Sequence, residues 1–319
     1  MASTEEEIIM FHKMYNCTLR SKEPITLGPF TFYPESMNPK EILSNRPIKE
    51  ENKPQFETYL SSVFPIVSVH FTIDPKKDVL KRADAFFQLA ENILNYCIDY
   101  SRRKNMIGIL NISHTETDCL IGYDTEGFNV GRTTSADYEI LDFILNGDLA
   151  KYLLSRVSND TFEQIETGLL RDRLLSAVNM IGGAKKQGPT SSGFLLVRSA
   201  VESLCRRTDD HHTKKCAVEN RIARSMLVAG IYCDYNVATN KEKDYQELRD
   251  KTTHSSRIYV DEKKFEECYN NATKLIEQIF LEIKHNMIPE DITLDDFVDL
   301  ITKRYHKYQG ITSGSTNGC

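Results

Sequence analysis

The chain has 319 residues, of which 40% are apolar and 27% charged, and it carries a net charge of −6. That length accommodates two domains, the composition is that of a globular protein, and the acidic balance excludes indiscriminate coating of duplex DNA. No stretch approaches the roughly 20 apolar residues of a membrane span, and the acidic start "MASTEEEIIM" does not read as a secretory signal. Eight cysteines without a C-x-x-C pair read as reduced thiols, which points to the cytoplasm.

Residues 1–147 read as an α+β domain. "EPITLGPFTFYP" and "FPIVSVHFTI" are rich in β-branched and aromatic residues and bounded by proline, which predicts strands. Between them, "ESMNPKEILSNRPIKEENKPQ" reads as a long polar connection. "DPKKDVLKRADAFFQLAENILNYC" is helical: Val79, Ala83, Phe86, Ala90, Ile93 and Cys97 recur at steps of four and three, with Asp74 as cap and Pro75 in the first turn. "MIGILNI" and "DCLIGYDTEGFNVGR" read as further strands, the latter as a pair joined through "DTEG". Nothing in this half converges on a recognisable site.

From Asp148 the pattern changes to helix after helix. Residues 148–308 read as an all-α bundle, and 309–319 as a tail too polar and Gly-rich to fold. Thr161 and Gln164 form a capping box for a helix whose apolar face holds Ile165, Leu169, Val178 and Ile181, and "GGAKKQGPTSSG" breaks the chain after it. A second helix carries Phe194, Val197, Val201 and Leu204 on one stripe and Arg198, Glu202 and Arg206 on another. A third runs through Val218, Ile222 and Met226, and a fourth contains "YQELRDKTTHSS". The fifth repeats Phe265, Cys268, Ala272, Leu275, Ile279 and Ile283, and a last short helix lies near "LDDFVDLITKRYHKY".

Charge is uneven along this half. From Lys185 to Arg224 there are nine Lys/Arg against four Asp/Glu, which suits an anion or RNA site and equally a solvated loop with flanking helix faces. Gly183 and Gly188 have the spacing of a phosphate-binding loop, but Pro189 stands in place of its lysine and a helix precedes it, so this is a loop. Cys205, His211, His212 and Cys216 are ligand types for zinc. Their spacing matches no common finger, and the reading adopted is a basic interhelical loop without metal.

"YQELRDKTTHSS" sets Arg249, Asp250 and His254 close together. Arg206 with His211 and Arg207 with His212 share the spacing, so the distinction lies in context: a polar residue after the arginine, and a helix with Tyr245, Leu248 and Thr252 on its buried side. On a regular helix Asp250 and His254 share a face, whereas Arg249 and His254 stand about 140° apart. Convergence requires the helix to end near His254, or a second copy of the motif across a two-fold interface.

Residues 150–286 resemble a HEPN domain, and specifically its Apea-like branch. The likeness is carried in order by "RLLSAVNMIGGAKKQG", by "FLLVRSAVESLCRR" with Val201, Glu202 and Leu204, by "ENRIARSMLV", and by the Tyr-Arg-polar-His signature of "YQELRDKTTHSS". Ser255 stands where the branch has Gly, and Asp250 where it more often has Ser. The paired toxins silenced by a nucleotidyltransferase carry a Tyr where this chain has Ser256. The resemblance implies a metal-independent, cofactor-free endoribonuclease working as a homodimer on RNA, of the kind found among toxins and abortive-infection effectors of antiviral defence. It implies catalytic roles for Arg249, Asp250 and His254. Supporting or RNA-binding roles fall to Glu202, Tyr245, Arg198, Lys185 and Lys186. The alternative left open is a non-catalytic HEPN module that binds nucleotide, RNA or protein.

Overall fold

A computed structural model of the chain describes residues 6–44, 48–61, 65–74, 76–99, 106–110, 118–123, 129–134, 139–162, 168–207, 215–254 and 259–310. The chain divides into two compact units, Met1–Glu163 and Gln164–Cys319. The first contains a small antiparallel sheet and the second is helical, which agrees with the coarse α+β-then-helical expectation.

The sheet of the first unit has the order β1 (Glu6–Lys13), β5 (Ile66–Ile73), β4 (Phe30–Tyr33), β3 (Ile25–Leu27), with every pairing antiparallel. β3 and β4 form a hairpin turned by Gly28 and Pro29. Gly28 is required there twice over: its φ is +57°, and a Cβ would sit 2.3 Å from the Leu154 carbonyl oxygen. One sheet face packs on α3 (Val79–Tyr96), where Phe86 stacks on Phe71 with ring centres 5.2 Å apart. Tyr33, Ile42, Leu43, Leu60 and Ile66 form a second cluster, backed by Phe11.

Several local expectations are corrected. The supposed polar connection contains α1 (Pro39–Leu43) and α2 (Lys53–Leu60), because Asn38 caps the first, each has Pro in its first turn, and Ile42, Leu43 and Leu60 give them apolar faces. α3 starts at Val79, with Asp78 accepting from the Lys81 N–H; Asp74 instead binds the Lys76 N–H in a turn, and Pro75 lies outside the described residues. "MIGILNI" contributes a single bridge, Gly108 to Tyr15, among the described residues. Its backbone is held by side chains: Asn16 donates to the Met106 carbonyl, Asn95 bonds both polar groups of Ile107, and Glu91 Oε2 accepts from Ile109 and Leu110 at 2.6 and 2.8 Å.

The predicted strand pair is present as β6 (Asp118–Tyr123) and β7 (Asn129–Thr134), with "DTEG" outside the described residues. A short parallel pair joins β2 (Cys17–Thr18) to β8 (Glu139–Ile140). α4 (Leu141–Asn146) and α5 (Asp148–Arg156) complete this unit, and α5 packs on α3 and β3 through a stripe that includes Ala150, Leu153 and Leu154. Thr161 takes the Ser158 N–H in a 3-10 turn rather than capping a long helix, and Gln164 and Ile165 lie outside the described residues.

The second unit has α6 (Leu170–Gln187), α7 (Ser191–Cys205), α8 (Lys215–Val228), α9 (Tyr235–His254), α10 (Glu262–Lys284) and α11 (Leu294–Tyr308). α6 runs straight through Gly182 and Gly183, and the turn falls at Gly188, whose φ is +61°. Thr190 caps α7 by accepting from the Gly193 N–H at 3.1 Å. A Cβ on Gly193 would lie 2.3 Å from the Gly188 carbonyl oxygen, so the α6–α7 connection is closed around two glycines. Phe194, Val197, Val201 and Leu204 of α7 are buried as the stripe predicts, as are Ile222 and Met226 of α8 and all six residues of the apolar repeat of α10. Tail residues 311–319 lie outside the described residues.

Candidate functional site

α9 begins where Asp234 Oδ1 accepts from the Asn236 and Val237 N–H groups, at 2.8 and 3.0 Å. Its buried stripe is Ala238, Glu242, Tyr245 and Thr252, and Arg249 occupies the same stripe at steps of four and three. Arg249 is therefore turned toward the bundle, with its side chain 34% exposed, and its Nη1 lies 3.0 Å from Glu202 Oε1 of α7. The hydroxyls of Thr252 and Thr253 both donate to the Arg249 carbonyl, at 2.8 and 2.9 Å, and α9 ends at His254.

One turn before Glu202 on α7 stands Arg198, whose Nη2 lies 2.9 Å from Glu242 Oε2 of α9. Both side chains are 1% exposed. The guanidinium also lies over the Tyr245 ring at 5.5 Å, and Phe194 meets that ring edge-on at 6.4 Å. Burial is the largest single influence and works against the Arg198 charge, but Glu242, Cys268 and Glu202 together outweigh it, so its pKa rises above the usual arginine value. α9 thus crosses α7 at a sealed ion pair, with a second, half-open pair one α7 turn further on.

These contacts sort the predicted residues. Arg249 and Glu202 are brought together. Asp250 accepts from Gln246 Nε2 at 3.1 Å, one turn back on its own helix. The side chain of His254, together with Ser255 and Ser256, lies outside what the structure describes. Arg198, Lys185 and Tyr245 are corrected as RNA contacts: they are 1%, 1% and 4% exposed, and none presents its polar group to solvent. Their sequence signal was charge and motif position, and neither reports burial. Lys186, in the last turn of α6, is half-buried. Glu242 was overlooked, although a signal existed: α7 reads Arg then Glu, and α9 reads Glu then Arg, each along one face.

The zinc-type cluster does not assemble among the described residues. Cys205 is 1% exposed, its Sγ lies 3.4 Å from Ser225 Oγ, and burial pushes its thiol up to about 12, away from the thiolate a metal needs. His211 and His212 lie outside the described residues, as does the Cys216 side chain, and no group of three metal-binding side chains occurs among those described. No described helix is long and apolar enough to cross a membrane.

No protein-family model, curated protein or solved structure matches this chain.

Proposed function

We propose that the second unit is a HEPN-type, metal-independent endoribonuclease that acts as a homodimer, in the manner of a toxin or an abortive-infection effector. The observation that carries the reading is Arg249, anchored by Glu202 at 3.0 Å on the bundle-facing stripe of α9, five positions before the helix ends at His254. A guanidinium has five N–H donors in a fixed fork, so one carboxylate orients it and leaves donors for a phosphate. In this reading Arg249 clamps the scissile phosphate and stabilises the charge that builds on it. His254 exchanges the proton of the ribose 2′-OH or of the leaving 5′-oxygen, and Asp250 sits one turn before it on α9. Attack by the 2′-OH yields a 2′,3′-cyclic phosphate and confines cleavage to RNA. A two-fold dimer supplies a second Arg249 and His254, which answers the angle of about 140° between them on one helix.

The test is cleavage of RNA by the full chain in EDTA. Wild type cuts, and Arg249→Ala and His254→Ala lose activity while their helical signal stays unchanged. Full activity in both variants sinks the assignment. The second reading, a non-catalytic binding module, is favoured by the charge of Arg249 already being paired. It is identified if wild type binds RNA without cutting it and its expression is no more toxic than that of His254→Ala.

A further inference from the structure

We propose that the outer edge of β1 is a self-pairing surface, through which two copies of this chain join their sheets antiparallel about a two-fold axis at Ile9. The inference concerns the first unit and stands apart from the ribonuclease reading. The Met14 N–H donates to the Pro65 carbonyl at 2.8 Å, which fixes the phase of the strand. Even positions of β1 turn their backbone groups to β5, and odd positions turn theirs outward.

The outward positions are Glu7, Ile9, Phe11 and Lys13, with Tyr15 beyond the strand. Tyr15 is taken by Gly108, at 2.8 and 3.2 Å in the two directions. There the pairing stops, because the next N–H groups, of Ile109 and Leu110, go to Glu91. Lys13 is closed locally: its carbonyl accepts from His12 Nδ1 at 2.9 Å, its Nζ lies over the Tyr59 ring at 5.4 Å, and Tyr59 bonds its backbone. Among the described residues, no strand or backbone group pairs with the outward groups of Glu7, Ile9 and Phe11.

An edge of this length, apolar at its centre and without proline, is a template for another strand. What that strand is follows from β1 itself, "EEIIMFHK", acidic at one end and basic at the other. Parallel pairing with its own copy sets like charge on like. Antiparallel pairing sets acid on base. The register that engages only the three free positions puts Ile9 opposite the partner's Ile9 and Glu7 opposite the partner's Phe11. It also sets Ile8 opposite the partner's Met10, Glu6 opposite the partner's His12, and Glu7 diagonal to the partner's Lys13. Ile8, Ile9 and Met10 are half-buried in the single chain, and this pairing covers them further. A two-fold strand pair is closed, so this edge joins two copies and no third.

The experiment is sedimentation equilibrium of the full chain at micromolar concentration. Ile9→Pro removes an N–H that faces outward, so the sheet of the single chain keeps its ladder while the edge loses its central donor. Wild type is expected as a dimer, and Ile9→Pro is expected to associate at least tenfold more weakly with unchanged circular dichroism, whether or not the second unit adds a contact of its own. Glu6→Lys/Glu7→Lys and His12→Glu/Lys13→Glu are each expected to associate at least tenfold more weakly alone and to recover when mixed, because both ends of the mixed pair then oppose acid to base. If Ile9→Pro does not fold, the charge-exchanged pair decides. A monomeric wild type overturns the proposal, leaving the edge to a strand of the same chain or of another protein. A dimer undiminished by all these variants also overturns it, by placing the contact elsewhere. Loss of ribonuclease activity leaves the readout untouched, since mass is what is measured.

Discussion

The two units use polar side chains for different purposes. In the first, Asn16, Asn95 and Glu91 hydrogen-bond to the backbone of residues 106–110, a stretch whose one bridge among the described residues is the isolated one from Gly108 to Tyr15. In the second, the polar side chains bond one another across helices: Arg198 to Glu242, Glu202 to Arg249, Lys241 to Glu267 and Arg304 to Glu282. The difference follows from where backbone groups find partners. A helix satisfies its own N–H and C=O groups, which leaves side chains free to pair between elements. A buried stretch outside any ladder has no such provision, and side chains must supply it.

Breaking the sealed pair gives the largest expected effect. Arg198→Ala leaves Glu242 buried without its partner and should cost about 4 kcal/mol in denaturant unfolding of the second unit. Arg198→Met combined with Glu242→Leu should return to within about 1 kcal/mol of wild type or exceed it, because a buried ion pair repays little beyond its own desolvation. If the double variant is as damaged as the single one, the pair does more than satisfy itself. Next in size is Glu91→Ala, which strands the Ile109 and Leu110 N–H groups and should destabilise the first unit by about 3 kcal/mol. Faster hydrogen exchange at those two amides is the accompanying sign, and a loss under about 1 kcal/mol would mean that other groups replace the carboxylate. The smallest stability effect belongs to Glu202→Gln, below about 1 kcal/mol because Arg249 is partly solvated. On the ribonuclease reading this variant still lowers cleavage by roughly tenfold or more, through a misplaced guanidinium. A drop in stability without a drop in cleavage would make Glu202 a structural residue only.

Much of the architecture was legible in the chain, and the failures share a cause. Hydrophobic period placed the buried stripes of α3, α7 and α10, and β-branched and aromatic content marked the stretch that holds β3 and β4 as strand. Local signals failed where two residues offered the same service. Asp74 and Asp78 are both plausible caps, and only the second faces a free helix N–H. Gly182 and Gly183 looked like a break, yet the positive φ that a turn needs is provided by Gly188. The site divided the same way. Helix context singled out Arg249, while the partners that fix it depend on how α7 crosses α9, which the Arg-then-Glu and Glu-then-Arg order of the two faces suits without fixing. Lys185 and Arg198 contributed to a basic segment on paper and lie in the core in fact.

The closure at Gly188 and Gly193 has a kinetic side. Three residues, Gly188 to Thr190, connect α6 to α7, and the entropy lost in closing so short a loop is small. Rapid formation follows for contacts this local in sequence, so the α6–α7 hairpin is the natural nucleus of the second unit. α9 docks onto it from the far side of α8 in sequence, a slower closure. On this argument the surface that carries Arg198 forms before Glu242 reaches it, and the Arg249–Glu202 contact follows the hairpin.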